Sequence, residues 1–151
     1  MAIFEDTFED LPRDEDINKL VLQRKGYYLI LPADVRHFVE SVSDTTRNKI
    51  VGRGGSHSPG YRTISLHAPT KEREKKMQKL SVSITSNSRQ PAKIEAWNLD
   101  GERTGKEFTG TIDYEFKPPF SGISHINIIV PVDADNPSDY WLQSVKTEHE
   151  S

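Results

Sequence analysis

The sequence predicts a mainly β fold: an antiparallel β-sandwich of jelly-roll type, with one short helix and an acidic flexible N-terminal tail. Three observations carry that prediction. From residue 79 onward apolar and polar residues alternate with period two, the mark of strands with one wet face. Turn-forming clusters, not helical patterns, separate these runs. The 151 residues match the size of one domain, long enough to bury roughly two-thirds of the unfolded surface.

The elements follow in chain order. Residues 1–16 hold seven acids (Glu5, Asp6, Glu9, Asp10, Asp14, Glu15, Asp16) and one base, Arg13. That local charge of −6, with only Ile3, Phe4, Phe8 and Leu11 interleaved, predicts a solvated tail that orders against a partner. Residues 17–147 are read as the sandwich domain and 148–151 as a C-terminal tail. Ile17, Leu20, Val21 and Leu22 form a short helix or a strand. Tyr27-Tyr28-Leu29-Ile30-Leu31, bounded by Gly26 and Pro32, reads as a buried strand. Val35, Phe38, Val39 and Val42 fall at helical spacing after Pro32, and predict the one helix over 33–43, while their β-branched content equally supports a strand. Residues 44–60 read as loop, with four glycines between Gly52 and Gly60. Tyr61 to Leu66 is a strand with Ile64 and Leu66 on one face. The charged stretch 71–79 is a solvated connection or a short helix.

Period two then takes over. Leu80, Val82 and Ile84 alternate with Ser81, Ser83 and Thr85; Ile94 and Ala96 with Lys93, Glu95 and Trp97; Ile112, Tyr114 and Phe116 with Thr111, Asp113 and Glu115. Ile126, Ile128 and Val130 follow, then Tyr140 to Val145. Ser86-Asn87-Ser88, Asp100-Gly101, Pro118-Pro119 and Asp135-Asn136-Pro137-Ser138 supply the turns.

Composition excludes several function classes. A net charge of −3 gives no basic footprint for nucleic acid and none for an anionic membrane. No cysteine is present, which removes disulfides, thiolate zinc sites and cysteine nucleophiles together. The opening Met-Ala-Ile-Phe-Glu-Asp lacks the basic and apolar regions of a secretory signal. With the absent cysteines it points to a cytoplasmic location.

Residues 79–147 resemble the bacterial pre-peptidase C-terminal type of jelly-roll β-sandwich. The residues that suggest it are Leu80-Ser81-Val82-Ser83-Ile84, Ile94 to Gly101 with its Asp-Gly turn, and Ile126-Asn127-Ile128-Ile129-Val130 followed by Tyr140-Trp141-Leu142. The resemblance implies a non-catalytic accessory module that binds matrix, carbohydrate or neighbouring domains, sometimes with calcium. The last strand departs from the pattern, with Ser144 where an apolar residue belongs.

Candidate chemistry is sparse. Arg53 and His57 lie in the Gly52–Gly60 stretch, which could offer backbone N–H groups to a phosphate, but no Gly-Lys-Ser/Thr follows. His37, His57, His67, His125 and His149 form no His-Glu-x-x-His motif. Asp133, Asp135 and Asp139, with Asn136, make the densest oxygen-rich loop. They suit calcium, the one cofactor expected, or plain turn chemistry. No Gly-x-Ser-x-Gly elbow occurs, and Asp113 and Glu115 sit together on a solvated strand face, so no enzyme is expected. Trp97, Trp141, Phe120 and His125 could join in a stacking platform. Trp97 has opposite parity to Ile94 and Ala96, so a one-sided strand exposes it, whereas a covered second face buries it.

The leading functional expectation is a non-catalytic protein-interaction or assembly module that binds a protein partner or its own copies. The alternative is a carbohydrate-binding or calcium-dependent accessory domain of a secreted enzyme. A small β-fold enzyme comes third.

Overall fold

The computed structural model describes residues 1–54, 60–69, 76–132 and 139–150. Those residues form twelve strands in two antiparallel sheets. The first sheet contains β4 (Val35–Ser41), β5 (Asn48–Gly54), β7 (Met77–Ser86), β10 (Gly110–Phe116) and β12 (Asp139–His149) in the order β10-β7-β12-β5-β4. Strand β1 (Ala2–Asp6) pairs with the C-terminal half of β12, beyond the stretch that β5 covers. The second sheet runs β2 (Val21–Arg24), β3 (Tyr27–Ile30), β6 (Gly60–His67), β11 (Ile123–Val132), β8 (Ala92–Asn98) and β9 (Arg103–Phe108).

The alternation explains the two layers. In β7, Leu80, Val82 and Ile84 are buried while Ser81, Ser83 and Thr85 are half-exposed. In β8, Ile94 and Ala96 are buried while Lys93, Glu95 and Trp97 are not. Ile64, Leu66, Ile126 and Ile128 of the second sheet join Ile50, Leu142 and Val145 of the first in one core. Each such side chain contributes about 1.5–3 kcal/mol on burial. Most strands therefore keep a second, outward face that the core does not use.

Three expectations are corrected, and one strand was missed. The predicted helix over 33–43 is strand β4: Val35, His37 and Val39 are buried, Arg36 and Glu40 are not, and the whole segment pairs with β5. The β-branched and aromatic content decided against the helical spacing. The loop expected over 44–60 contains β5, because Ile50 fills the core and Gly52 lies where a Cβ would collide with the Tyr140 ring. The polar edge strand β9 went unread, since only Phe108 in it is buried.

The expected acidic flexible tail is part of the sandwich. Besides β1, Phe8 is fully buried, and the Asn48 side chain donates to the Phe8 and Leu11 carbonyls at 2.9 and 3.2 Å. The carboxylates of Asp6 and Asp10 meet the Arg24 guanidinium, each at 2.7 Å, and the Tyr27 hydroxyl donates to Asp6 at 2.8 Å. Asp6, Asp10, Asp16 and Glu5 have arginine partners, while every acid of the segment except Asp6 stays exposed to solvent. Ser144 has a geometric explanation: the β12–β7 register shifts between Leu142 and Ser144. A bulge inserts a residue, so burial passes from Tyr140 and Leu142 to Val145, Thr147 and His149.

Candidate functional site

Residues directly opposite across neighbouring strands point to the same side of a sheet. On the outer face of the second sheet this rule builds one continuous row. Gln23 faces Tyr28, Tyr28 faces His67, His67 faces His125, His125 faces Trp97, and Trp97 faces Arg103. The row crosses all six strands, about 24 Å at ordinary strand spacing. Its starting register is fixed by the β2–β3 turn. There Gly26 adopts a φ of +90°, which favours glycine, and a Cβ would come within 3 Å of Thr147 and Phe4.

The central rings stack. Trp97 and His125 have centroids 4.6 Å apart at an interplanar angle of 16°. His125 and His67 follow at 5.0 Å and 11°. Both spacings exceed the roughly 3.5–4.0 Å contact distance of carbon atoms. The rings are therefore offset, as aromatic pairs prefer, and lie like shingles with part of each face uncovered.

A second row runs beside the first: Val21, Ile30, Ser65, Asn127, Glu95 and Gly105. Ser65 donates to Asn127 Oδ1 at 2.7 Å. Glu95 is held between Lys93 at 3.0 Å and Arg103 at 3.6 Å. The face thus combines ring surface with neutral hydroxyl and amide groups and a neutralised carboxylate. The histidines belong to that neutral character. Burial holds His67 below the usual imidazole range, helped by the neighbouring His125. Burial does the same to His125, whose Nδ1 lies 2.9 Å from Ser124 Oγ.

The structure separates most of the residues singled out in the sequence. Trp97 and His125 meet. Trp141 lies on the outer face of the first sheet, opposite Thr85 and Val51. Phe120 lies in the loop between β10 and β11, 97% exposed. Arg53 pairs with Asp139 at 3.2 Å. That pairing takes up the Asp139 carboxylate offered for calcium, while Asp133, Asp135 and His57 lie outside the described residues. Among the described residues no three His, Asp or Glu side chains converge as metal ligands. Tyr28 and His67 were missed as site residues; only the register of β3 and β6 against β11 brings them into line.

No family model matches the chain, and no curated protein does either. Solved structures of similar fold were found. A family 29 carbohydrate-binding module from Piromyces equi has 13% identity and a TM-score of 0.49, with 97% of this chain and 91% of that one covered. The low-affinity xylan-binding module CBM86 from Roseburia intestinalis has 13% identity and a TM-score of 0.44, with 82% and 96% covered. The family 11 module of a Clostridium thermocellum cellulosomal cellulase has 15% identity and a TM-score of 0.41, with 97% and 95% covered. These three are carbohydrate-binding modules, not pre-peptidase C-terminal domains. The expectation of a protein-interaction or assembly module is corrected at this point. The neighbours found are carbohydrate-binding modules, the kind that the alternative expectation named.

Proposed function

We propose that this domain is a non-catalytic carbohydrate-binding module whose ligand lies across the outer face of the second sheet. One observation carries the reading: the registered row Tyr28–His67–His125–Trp97 across four adjacent strands. A sugar ring has an apolar C–H face and a rim of hydroxyls, each both donor and acceptor. Shingled ring faces suit the first. Gln23, Ser65, Asn127 and the neutral imidazoles suit the second, since such sites set a few polar groups among aromatic surface. The strand spacing of about 4.8 Å is close to the length of one pyranose unit. An extended glycan can thus lie along the row with successive sugars over successive strands.

The test is retention on insoluble cellulose, xylan and mannan, and in native gels containing the soluble polysaccharides. The intact chain is expected to be retained by at least one of them. Trp97→Ala is expected to weaken that retention at least tenfold with an unchanged melting temperature. Full retention by Trp97→Ala overturns the placement, and no retention of the intact chain on any of them overturns the function.

A further inference from the structure

The opposite face of the sandwich carries a second row that the site above does not use, with two aromatic residues, Trp141 and Phe38, on either side of the fully buried Val51. Thr111 faces Thr85, Thr85 faces Trp141, Trp141 faces Val51, and Val51 faces Phe38. Trp141 stands on β12, the central strand of the first sheet, and it is only half-buried. From these residues we propose that the outer face of the first sheet, centred on Trp141, is a second binding site for an uncharged glycan, so that one copy of the chain holds two glycan chains, one on each side. The ligand class rests on the function proposed above; the site itself stands on different residues.

On one flank of Trp141 lies a chain of neutral hydrogen bonds. Ser83 donates to Gln143 Oε1 at 2.9 Å. Gln143 Nε2 donates to Thr85 Oγ1 at 2.9 Å. The Thr85 and Thr111 hydroxyls are 2.7 Å apart. This chain fixes the orientation of each group before any ligand arrives, which lowers the ordering cost of binding. It ends at Thr111, which is exposed, next to exposed Asp113 on the same face. Hydroxyl and amide groups presented this way suit a ligand whose own hydroxyls both donate and accept.

On the other flank, Phe38 lies under two guanidinium groups: Arg36 at 4.9 Å and Arg53 at 5.1 Å from its centroid. Both are neutralised. Arg36 meets Asp16 at 2.9 Å and Arg53 meets Asp139 at 3.2 Å. Lys49 on the same face meets Glu40 at 3.5 Å. A face for a phosphate, a uronate or nucleic acid would present uncompensated cations; here each of these three carries a carboxylate partner. Charge balance therefore selects an uncharged ligand.

Packed sheets lie about 10 Å apart, so two glycans on the opposite faces are held by one rigid body. Each bound chain then raises the effective concentration of the protein at the other, and two weak sites together retain a polysaccharide far more strongly than either alone.

The experiment is calorimetric titration with cellohexaose, xylohexaose and mannohexaose, on the full chain and on Trp97→Ala, Trp141→Ala and the double variant. For the hexaose that binds, the intact chain is expected to saturate at about two per chain and each single variant at about one, by the two-site reading. The double variant is expected not to bind. Gln143→Ala, which keeps the indole, is expected to weaken the site left in Trp97→Ala at least fivefold, and it separates loss of the site from loss of folding. Saturation at one per chain, abolished by Trp97→Ala alone, overturns the second site and leaves the first. Saturation at one per chain, abolished by Trp141→Ala alone, overturns the first placement and leaves the second. Binding by the double variant overturns both.

Discussion

At the residue scale, the stack Trp97–His125–His67 makes the binding face sensitive to protonation. Burial lowers both imidazoles from their usual range, and His125 further depresses the charging of His67. Around them stand the cation Arg103 on β9, Glu95 with Lys93 on β8, and the Tyr28 phenol on β3. At neutral pH both imidazoles are uncharged and can accept from or donate to a sugar. Acidification must place two cations 5.0 Å apart, beside Arg103, and like charges at that distance repel. Glycan affinity is expected to stay level from pH 8 through the ordinary histidine value near 6.5 and to fall only below it. Titrations in steps from pH 8 to pH 4 check this, and His67→Gln should shift the fall and make it shallower. A profile unchanged in His67→Gln would remove the imidazole pair from the account. The outward setting of Trp97 was legible from its parity against Ile94 and Ala96. The histidine stack was not, because His67 and His125 are 58 residues apart in the sequence and only strand pairing joins them.

At the scale of elements, the strands with clean alternation were legible and the mixed ones were not. β7, β8, β10 and β11 each bury one parity of apolar side chains, and period two finds them directly. β4 defeats that rule because His37 occupies an inward position and Phe38 an outward one, leaving Val35, Phe38, Val39 and Val42 at a false helical period. β1 defeats it through its acids. Asp6 points inward to Arg24 and Tyr27, and both members of the Asp6–Arg24 pair are about nine-tenths buried. Removing one partner from a buried pair strands the other charge, at a cost of about 3–5 kcal/mol. Arg24→Ala is therefore expected to destabilise the protein by about that amount and to raise amide exchange in β1 before any other strand. A denaturation curve and exchange mapping of residues 2–6 check both. An Arg24→Ala protein of unchanged stability would mean that Phe8 and Asn48 alone hold the N-terminal segment. The acidic run thus signalled a docking segment, and composition alone cannot separate docked acids from solvated ones.

At the scale of the molecule, fold class was legible while the pairing order was not, since a two-sheet β architecture follows from alternation but strand order depends on contacts far apart in the chain. β12 shows this best. It pairs with β7, β5 and β1, and its inward residues tie the chain's beginning, middle and end together. Tyr140 is one of them: its buried hydroxyl bonds His37 Nε2, and Gly52 leaves room for its ring. Burial pushes the His37 imidazole down from 6.5 to about 4, and burial also raises the Tyr140 phenol well above its usual range. Both are neutral in the folded state across ordinary pH. The unfolded chain protonates His37 near 6.5, whereas the folded chain resists until about 4. Between those values the unfolded state binds the extra proton, so the contribution of His37 is whole above pH 6.5 and is lost as pH falls toward 4. The full loss is at most about 3 kcal/mol, a large share of the 5–15 kcal/mol of an ordinary domain. Urea midpoints are expected to fall across pH 6.5 to 4 and to level below it as far as His37 is concerned. His37→Gln keeps a hydrogen-bonding group toward Tyr140 and removes the proton, so its midpoint should be lower than that of the intact chain at pH 7 and should fall less across the same window. Equal pH slopes for the two proteins would show that His37 is not the group that couples the sandwich to acid.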